Sequence, residues 1–355
     1  MAVFAIFSCI GAIDWFLGNR WGLGERFEEG FLTAGRLLFA MAGIYTVAPW
    51  LAGHLDQLMG PAFAAIGWEP SLVTSSFLAI DMGGYTAARA MADSNAMLAF
   101  SGIVVAASLG ATLSFSIPIG LGMIDSKAYP AFFRGTILGL IALPIGFFAG
   151  GLLLGLEAGI VMWQLVPTGA FAILLALGLS RAPEGTERLL HGLARGLQAI
   201  GAFGLALIVL EELMGITILQ GLVPFSEISL VVGRIALLLS GALPLMATVT
   251  WALGKGIDRI GKLLGVGELA VLGIAGALVN NMIAYARFDQ MDEDGQVLVS
   301  GICVSSAFVI GGQLGFVQSL QPEATLAFIA SKLVAGLFVF VLYRLQKSAK
   351  LRKSV

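Results

Sequence analysis

The chain has 355 residues, 58% of them hydrophobic and 12% charged, with a mean hydropathy of +0.94 and a net charge of −2. A water-soluble domain carries about 25% charged residues to face solvent, so a soluble globule of this size is excluded. No basic cluster interleaves with aromatics, and nucleic acid is therefore not an expected partner.

Glycine, proline and charge divide the chain into eleven apolar segments, at about residues 2–18, 31–53, 70–92, 96–120, 131–155, 159–180, 190–217, 228–251, 266–288, 297–319 and 324–345. Most approach the roughly 20 residues that span a bilayer core as a helix. Backbone polar groups in lipid must be satisfied within the segment, and the short alternating runs of a β-barrel are absent. The first segment lacks a basic region and a small-x-small cleavage site, so it reads as a membrane helix rather than a signal peptide. The third segment carries Asp81 and the Gly83-Gly84 pair at its centre, and the ninth carries Asn280 and Asn281. Such residues at membrane depth belong where backbone lines a cavity or packs against protein.

The chain also repeats itself. Arg36 and Arg234 stand 198 positions apart in AGRLLFAMAG and VGRIALLLSG, and the same shift relates Glu29 to Glu227 and Arg134 to Lys332. A shift of 199 relates Asp81 to Asn280 and Ser101-Gly102 to Ser300-Gly301. Segments one to five thus recur as seven to eleven. The expected division is repeat one over 1–157, a linker helix and cytoplasmic loop over 158–189, repeat two over 190–345 and a basic cytoplasmic tail over 346–355. Orientation follows Lys and Arg. The tail (Arg344, Lys347, Lys350, Arg352, Lys353), loop 8–9 (Lys255, Arg259, Lys262) and loop 6–7 (Arg181, Arg188, Arg195) read as cytoplasmic. Eleven crossings would put the tail and loop 8–9 on opposite sides. A re-entrant hairpin at segment nine, matched at segment three, removes the conflict and leaves nine crossings. Five crossings then separate corresponding helices, which inverts the second repeat, an architecture of secondary transporters.

Asp81 is the sharpest chemical signal, because a carboxylate inside a membrane segment costs about 3 kcal/mol on insertion scales. It reads either as counter-ion to a cationic solute or as a cap on the second half-helix of its hairpin. Gly83 and Gly84 would let backbone approach that solute, and Tyr85 would add a cation–π face. Asn280 and Asn281 offer amides to a hydroxyl or amine, or else satisfy broken-helix backbone. Segments four and ten are studded with small polar residues: Ser108, Thr112, Ser114 and Ser116 in one, Ser305, Ser306 and Gln313 in the other. Ser114 and Gln313 are the candidates for solute contact, and close packing explains the rest. Arg36, Arg234, Arg134 and Lys332 read as snorkelling or paired structural charges, and Asp14, Glu211 and Glu212 as groups reaching the interface. Cys9, Cys303, His54 and His191 make no disulfide or metal spacing. Motifs of hydrolases, zinc peptidases and P-loop enzymes are missing, so no enzyme and no cofactor is expected.

FEEGF (27–31), LAIDMGGY (78–85), GATLSFSIPIGLGMID (110–125), ALPIGFFAGGL (142–152), GKLLGVGE (261–268), LVNNM (278–282), QMDEDGQV (290–297), VSSAFVIGGQLGF (304–316) and SKLVAG (331–336) resemble the ethanolamine-utilisation permease family, EutH. The resemblance runs in order over nearly the whole chain. It implies a multi-pass inner-membrane protein that imports ethanolamine. The chain departs from the family pattern at Gly312-Gln313, where the family has Asp-His, and after Asn281, where Met282-Ile283-Ala284-Tyr285-Ala286 replaces I-P-M-F-G. The expectation is an all-α, polytopic membrane protein of two inverted repeats with re-entrant hairpins. It would take up ethanolamine or a related amino alcohol by alternating access, with Asp81 on the ammonium and Asn280 and Asn281 on the hydroxyl. Another small solute, an organic anion or an amino acid, is the alternative. The lipid bilayer and the solute are the expected partners, and a homo-oligomer is compatible with the sequence.

Overall fold

The computed structural model describes residues 2–254 and 256–353. Lys255 of the basic loop and the last two residues of the tail lie outside the described residues, as do the side chains of Arg36, Lys350, Arg352 and Lys353. Among the described residues every regular element is helical.

The α-helices are α1 (Ala2–Phe16), α2 (Leu23–Ala65), α3 (Ser71–Phe77), α4 (Tyr85–Met91), α5 (Asn95–Leu98), α6 (Ile117–Met123), α7 (Tyr129–Leu153) and α8 (Ala158–Arg181). They continue as α9 (Pro183–Met214), α10 (Phe225–Leu253), α11 (Gly256–Leu264), α12 (Glu268–Val279), α13 (Asn281–Tyr285), α14 (Glu293–Ser305), α15 (Gly312–Leu320) and α16 (Thr325–Lys353). Six stretches are long and apolar enough to cross a membrane: 95–123, 126–153, 158–181, 184–214, 225–249 and 322–347. Their outward faces carry Ile173, Leu174, Phe203, Leu237 and Leu337, all more than half exposed. Water would penalise so much exposed apolar area, whereas lipid is its natural solvent.

Two of the expected segments are folded back on themselves. In the third, α3 and α4 pack together, and Thr74 near the start of one lies 3.9 Å from the Met91 sulfur at the end of the other. In the ninth, a Cβ on Gly276 of α12 would fall 2.6 Å from the Ile283 side chain of α13. The ends of each pair are fixed by hydrogen bonds. At one end of the molecule Lys347 Nζ donates to Asp294 (2.7 Å) and to the Gly265 carbonyl (3.1 Å), and Gly267 N–H donates to Asp292 (2.9 Å). Arg134 pairs with Glu293, and Asp125 N–H donates to Asp289, at this same end. The α12/α13 pair therefore starts and finishes beside the tail. The α3/α4 pair starts where Gln164 bonds Glu69 N–H (2.8 Å) and the Gly67 carbonyl (3.0 Å). It finishes against the same corner, where Glu69 faces Asp93.

The core is built by close helix approach at small residues. Gly30 of α2 packs on the backbone of Ser240 in α10, while Gly43 of α2 meets the Gly201 carbonyl of α9 and Gly204 of α9 meets the Gly43 carbonyl. Gly241 of α10 packs on Phe4 of α1. Thus α1 lies on α10 as α9 lies on α2, and α2 pairs with α10 as α7 pairs with α16. Asp14 does not reach outward as expected. Fully buried, it accepts from the backbone N–H groups of Trp21, Leu23 and Gly24 at 2.8–2.9 Å and so anchors the start of α2.

Candidate functional site at two interrupted helices

Between the hairpins run two interrupted helices: the first is continuous but leaves the α-helical ladder for π-helical turns, and the second breaks near its middle. The first joins α5 to α6 through π-helical stretches at Ala99–Gly110 and Thr112–Ser116, and it is almost wholly buried. A π-bulge leaves the regular hydrogen-bond ladder out of step and frequently marks a functional position. The second stops at Ser305 and restarts at Gly312, with Phe308 between them at φ 62°. A bulky residue held in the left-handed region is strained, and surrounding contacts must enforce it. Here Phe308 N–H donates to the Ala277 carbonyl of α12, and the Phe308 ring meets Phe115 edge-on at 5.5 Å.

Each hairpin tip is pressed onto one of these helices at a glycine. A Cβ on Gly110 would lie 2.1 Å from the Leu78 carbonyl oxygen, and one on Gly311 2.0 Å from the Val279 carbonyl oxygen. Both pairs are related by the same spacing of 201 positions, close to the repeat read from the sequence. The π stretch holds both tips. Ser114 Oγ accepts from Ala79 N–H at 3.0 Å, while Ser116 Oγ accepts from Asn281 Nδ2 at 2.8 Å.

Asp81 sits in the turn between α3 and α4 and is only partly exposed. The N-cap position of α4 is Gly84, with no side-chain cap. Its charged neighbour is Lys332. Gly83 has φ +86°, and a side chain there would meet Ala48 of α2 at 2.8 Å; a Cβ on Gly84 would fall 2.5 Å from the Leu78 carbonyl. The glycine pair is thus consumed by the turn itself. The Tyr85 ring packs edge-on against Phe316 at 6.1 Å and its hydroxyl reaches Gln321 at 3.5 Å, so Tyr85 belongs to an aromatic cluster with Tyr45.

The two asparagines divide their work. Asn280 Oδ1 accepts from Met282 N–H at 2.9 Å and caps α13. Asn281 is fully buried and donates to Ser116 and to the Cys303 carbonyl (3.0 Å), tying its hairpin to both interrupted helices. Its Oδ1, like Oε1 of buried Gln313, has no hydrogen-bond partner among the described residues. Unpaired buried acceptors are uncommon and call for a donor. The structure therefore brings Ser114, Asn281 and the Asp81 turn onto one interrupted helix, whereas Tyr85 and Asn280 are engaged elsewhere.

The sequence reading passed over Lys332. It is 1% exposed, and Nζ donates to the carbonyls of Ala107 (2.7 Å) in the first interrupted helix and Ala307 (2.8 Å) in the second. The signal was present, since a lysine stands in the middle of the apolar run 325–345. From the sequence it reads only as a snorkelling or paired structural charge. In the structure its ammonium bridges the π-helical stretch and the break of the second helix, with the Asp81 carboxylate as its charged neighbour.

Residues 1–345 match the family described as "Ethanolamine utilisation protein, EutH". The chain is 36% identical over 331 residues to a Listeria monocytogenes protein named probable ethanolamine permease EutH, covering 93% of this chain and 89% of that one. A Salmonella typhimurium protein of the same name is 32% identical, over 94% of this chain and 89% of that one. YxeR of Bacillus subtilis, described as uncharacterised, is 35% identical over 94% of this chain and 90% of its own length. No solved structure matches. Family and relatives alike cover almost the full length of the chain, which belongs to the EutH ethanolamine-utilisation family.

Proposed function

We propose that this protein carries ethanolamine, or a closely related small amino alcohol, across the cell's inner membrane by alternating access. The observation that carries the reading is the packing of each hairpin tip on one of two irregular buried helices, whose Ala107 and Ala307 carbonyls hold Lys332 with Asp81 as its charged neighbour, in a chain whose relatives bear the name of permease. Interrupted helices at membrane depth expose carbonyls and half-helix ends, which is how secondary transporters bind solute near the midplane. The solute ammonium pairs with the Asp81 carboxylate, and its hydroxyl donates to an amide oxygen left unpaired at Asn281 or Gln313. Ser114 fixes the first tip, and the Gly83-Gly84 turn gives that tip its shape.

The chain crosses the membrane nine times in this reading: α1, α2, the 95–123 helix, α7, α8, α9, α10, the 293–320 helix and α16. The α3/α4 hairpin opens to the outside and the α12/α13 hairpin to the cytoplasm. The hydrogen bonds that gather Gly265, Asp294 and Lys347 at one end support it, as does the reciprocal packing of α1 on α10 and α9 on α2. Residues 1–157 and 190–345 are then the two inverted repeats, joined by the 158–189 linker and followed by the 346–355 tail. The test is uptake of radiolabelled ethanolamine into liposomes holding the purified protein. Saturable uptake, competed by unlabelled amino alcohols and not by small carboxylates, is expected. Competition by carboxylates alone would assign the protein to organic anions.

A further inference from the structure

Lys332 asks for a physical explanation of its own. A buried charge is costly unless paired and hydrogen-bonded, and packing alone is served as well by an apolar side chain of similar volume. Lys332 neither snorkels, being 1% exposed, nor closes a direct salt bridge. Its ammonium instead rests on two main-chain carbonyls, Ala107 at 2.7 Å and Ala307 at 2.8 Å, with Asp81 as electrostatic counterpart and the Phe328 ring centroid 5.5 Å away. The two alanines stand 200 positions apart, one in each interrupted helix. Carbonyl oxygens of broken backbone, backed by a carboxylate, are the ligand set with which membrane proteins replace the hydration shell of a small monovalent cation. A cation in that cradle joins the π-helical stretch of the first helix to the break in the second and offsets Asp81. A free ion can leave it, but a lysine on a four-carbon stem cannot.

We propose that this cradle is a monovalent-cation site whose resident ion is the tethered Lys332 ammonium, so that solute movement draws on no external Na+ or K+. The inference rests on the transporter reading but not on ethanolamine as the solute. The full-length protein and Lys332→Ala are compared in NaCl, KCl, LiCl and N-methylglucamine chloride at equal ionic strength, by thermal melting without solute and by ethanolamine uptake. Wild type should melt and transport equally in all four. Lys332→Ala should melt lower in N-methylglucamine and recover by about 3 °C or more when Na+, K+ or Li+ occupies the vacated cradle. Its uptake should rise at least about 10-fold with the same ion, a change equivalent to roughly 1.4 kcal/mol. Wild type stimulated threefold or more by one of the ions would overturn the proposal, and so would a variant indifferent to salt. Lys332→Ser, which adds an oxygen ligand, is the second variant. If neither variant folds in any salt, the emptied cradle takes no ion and the proposal fails. Should wild type not take up ethanolamine at all, the proposed solute fails, while the melting comparison still decides the cradle.

Discussion

Replacing Asp81 by Asn isolates charge from shape in the proposed solute site. The substitution is mild for the fold. The α4 N-terminus takes no side-chain cap, so none is lost with the carboxylate. Lys332 keeps both of its carbonyl partners. What disappears is the attraction for a bound ammonium. At contact, about 4 Å between charges, that attraction is about 4 kcal/mol with an effective dielectric constant of 20. Desolvation of both ions and repulsion from Lys332 offset much of it. We therefore expect affinity to fall at least 10-fold, or about 1.4 kcal/mol, and by no more than about 1,000-fold. Calorimetric titration of purified Asp81→Asn with ethanolamine reads this directly, and thermal melting of the same sample checks the fold. Asp81→Glu should retain part of the binding. Unchanged affinity in Asp81→Asn would place the counter-ion elsewhere, and a large drop in melting temperature would assign Asp81 to the turn instead.

Three further outcomes are expected. Asn281→Leu removes two buried donors and strands the Ser116 and Cys303 acceptors, at a cost of about 1–3 kcal/mol each way of counting the site. Its melting temperature should drop clearly, whereas Asn280→Ser, which still caps α13, should melt within a degree or two of wild type. Gly311→Ala forces a Cβ to within 2.0 Å of the Val279 carbonyl and should lose transport together with about 1–3 kcal/mol of stability, while Gly122→Ala enters open space and should be neutral in both assays. In a variant lacking Cys9, the exposed native cysteine, new cysteines at positions 256 and 294 should react with impermeant reagent from the same side. Labelling from opposite sides would remove the hairpin at segment nine.

Two features of the site show where local pattern stops being informative. Asp81 and the asparagines drew attention because polar residues inside apolar runs violate the rule for a lipid-embedded helix, and that violation is visible without a structure. The pattern could not say which alternative each residue takes. Capping was open for Asp81 and for both asparagines, and only Asn280 is seen to cap, because only its oxygen is placed over the next free N–H. Lys332 violates the same rule as Asp81, yet from the sequence it reads as a snorkelling or paired structural charge. Whether a lysine reaches water depends on what stands beside it, and its carbonyl partners lie 225 and 25 residues away.

The sequence by itself determined the membrane class, the broken character of segments three and nine and the family, since composition, segment length and ordered motifs are local properties of the chain. It also placed glycines at 110 and 311, without revealing their use. Tertiary structure decided which carbonyls those glycines meet, that Ser114 and Ser116 each hold one hairpin, and that Lys332 spans both interrupted helices. Each of these depends on distances between segments far apart in the chain, and hydrophobic periodicity constrains which face of a helix is buried but not which partner buries it.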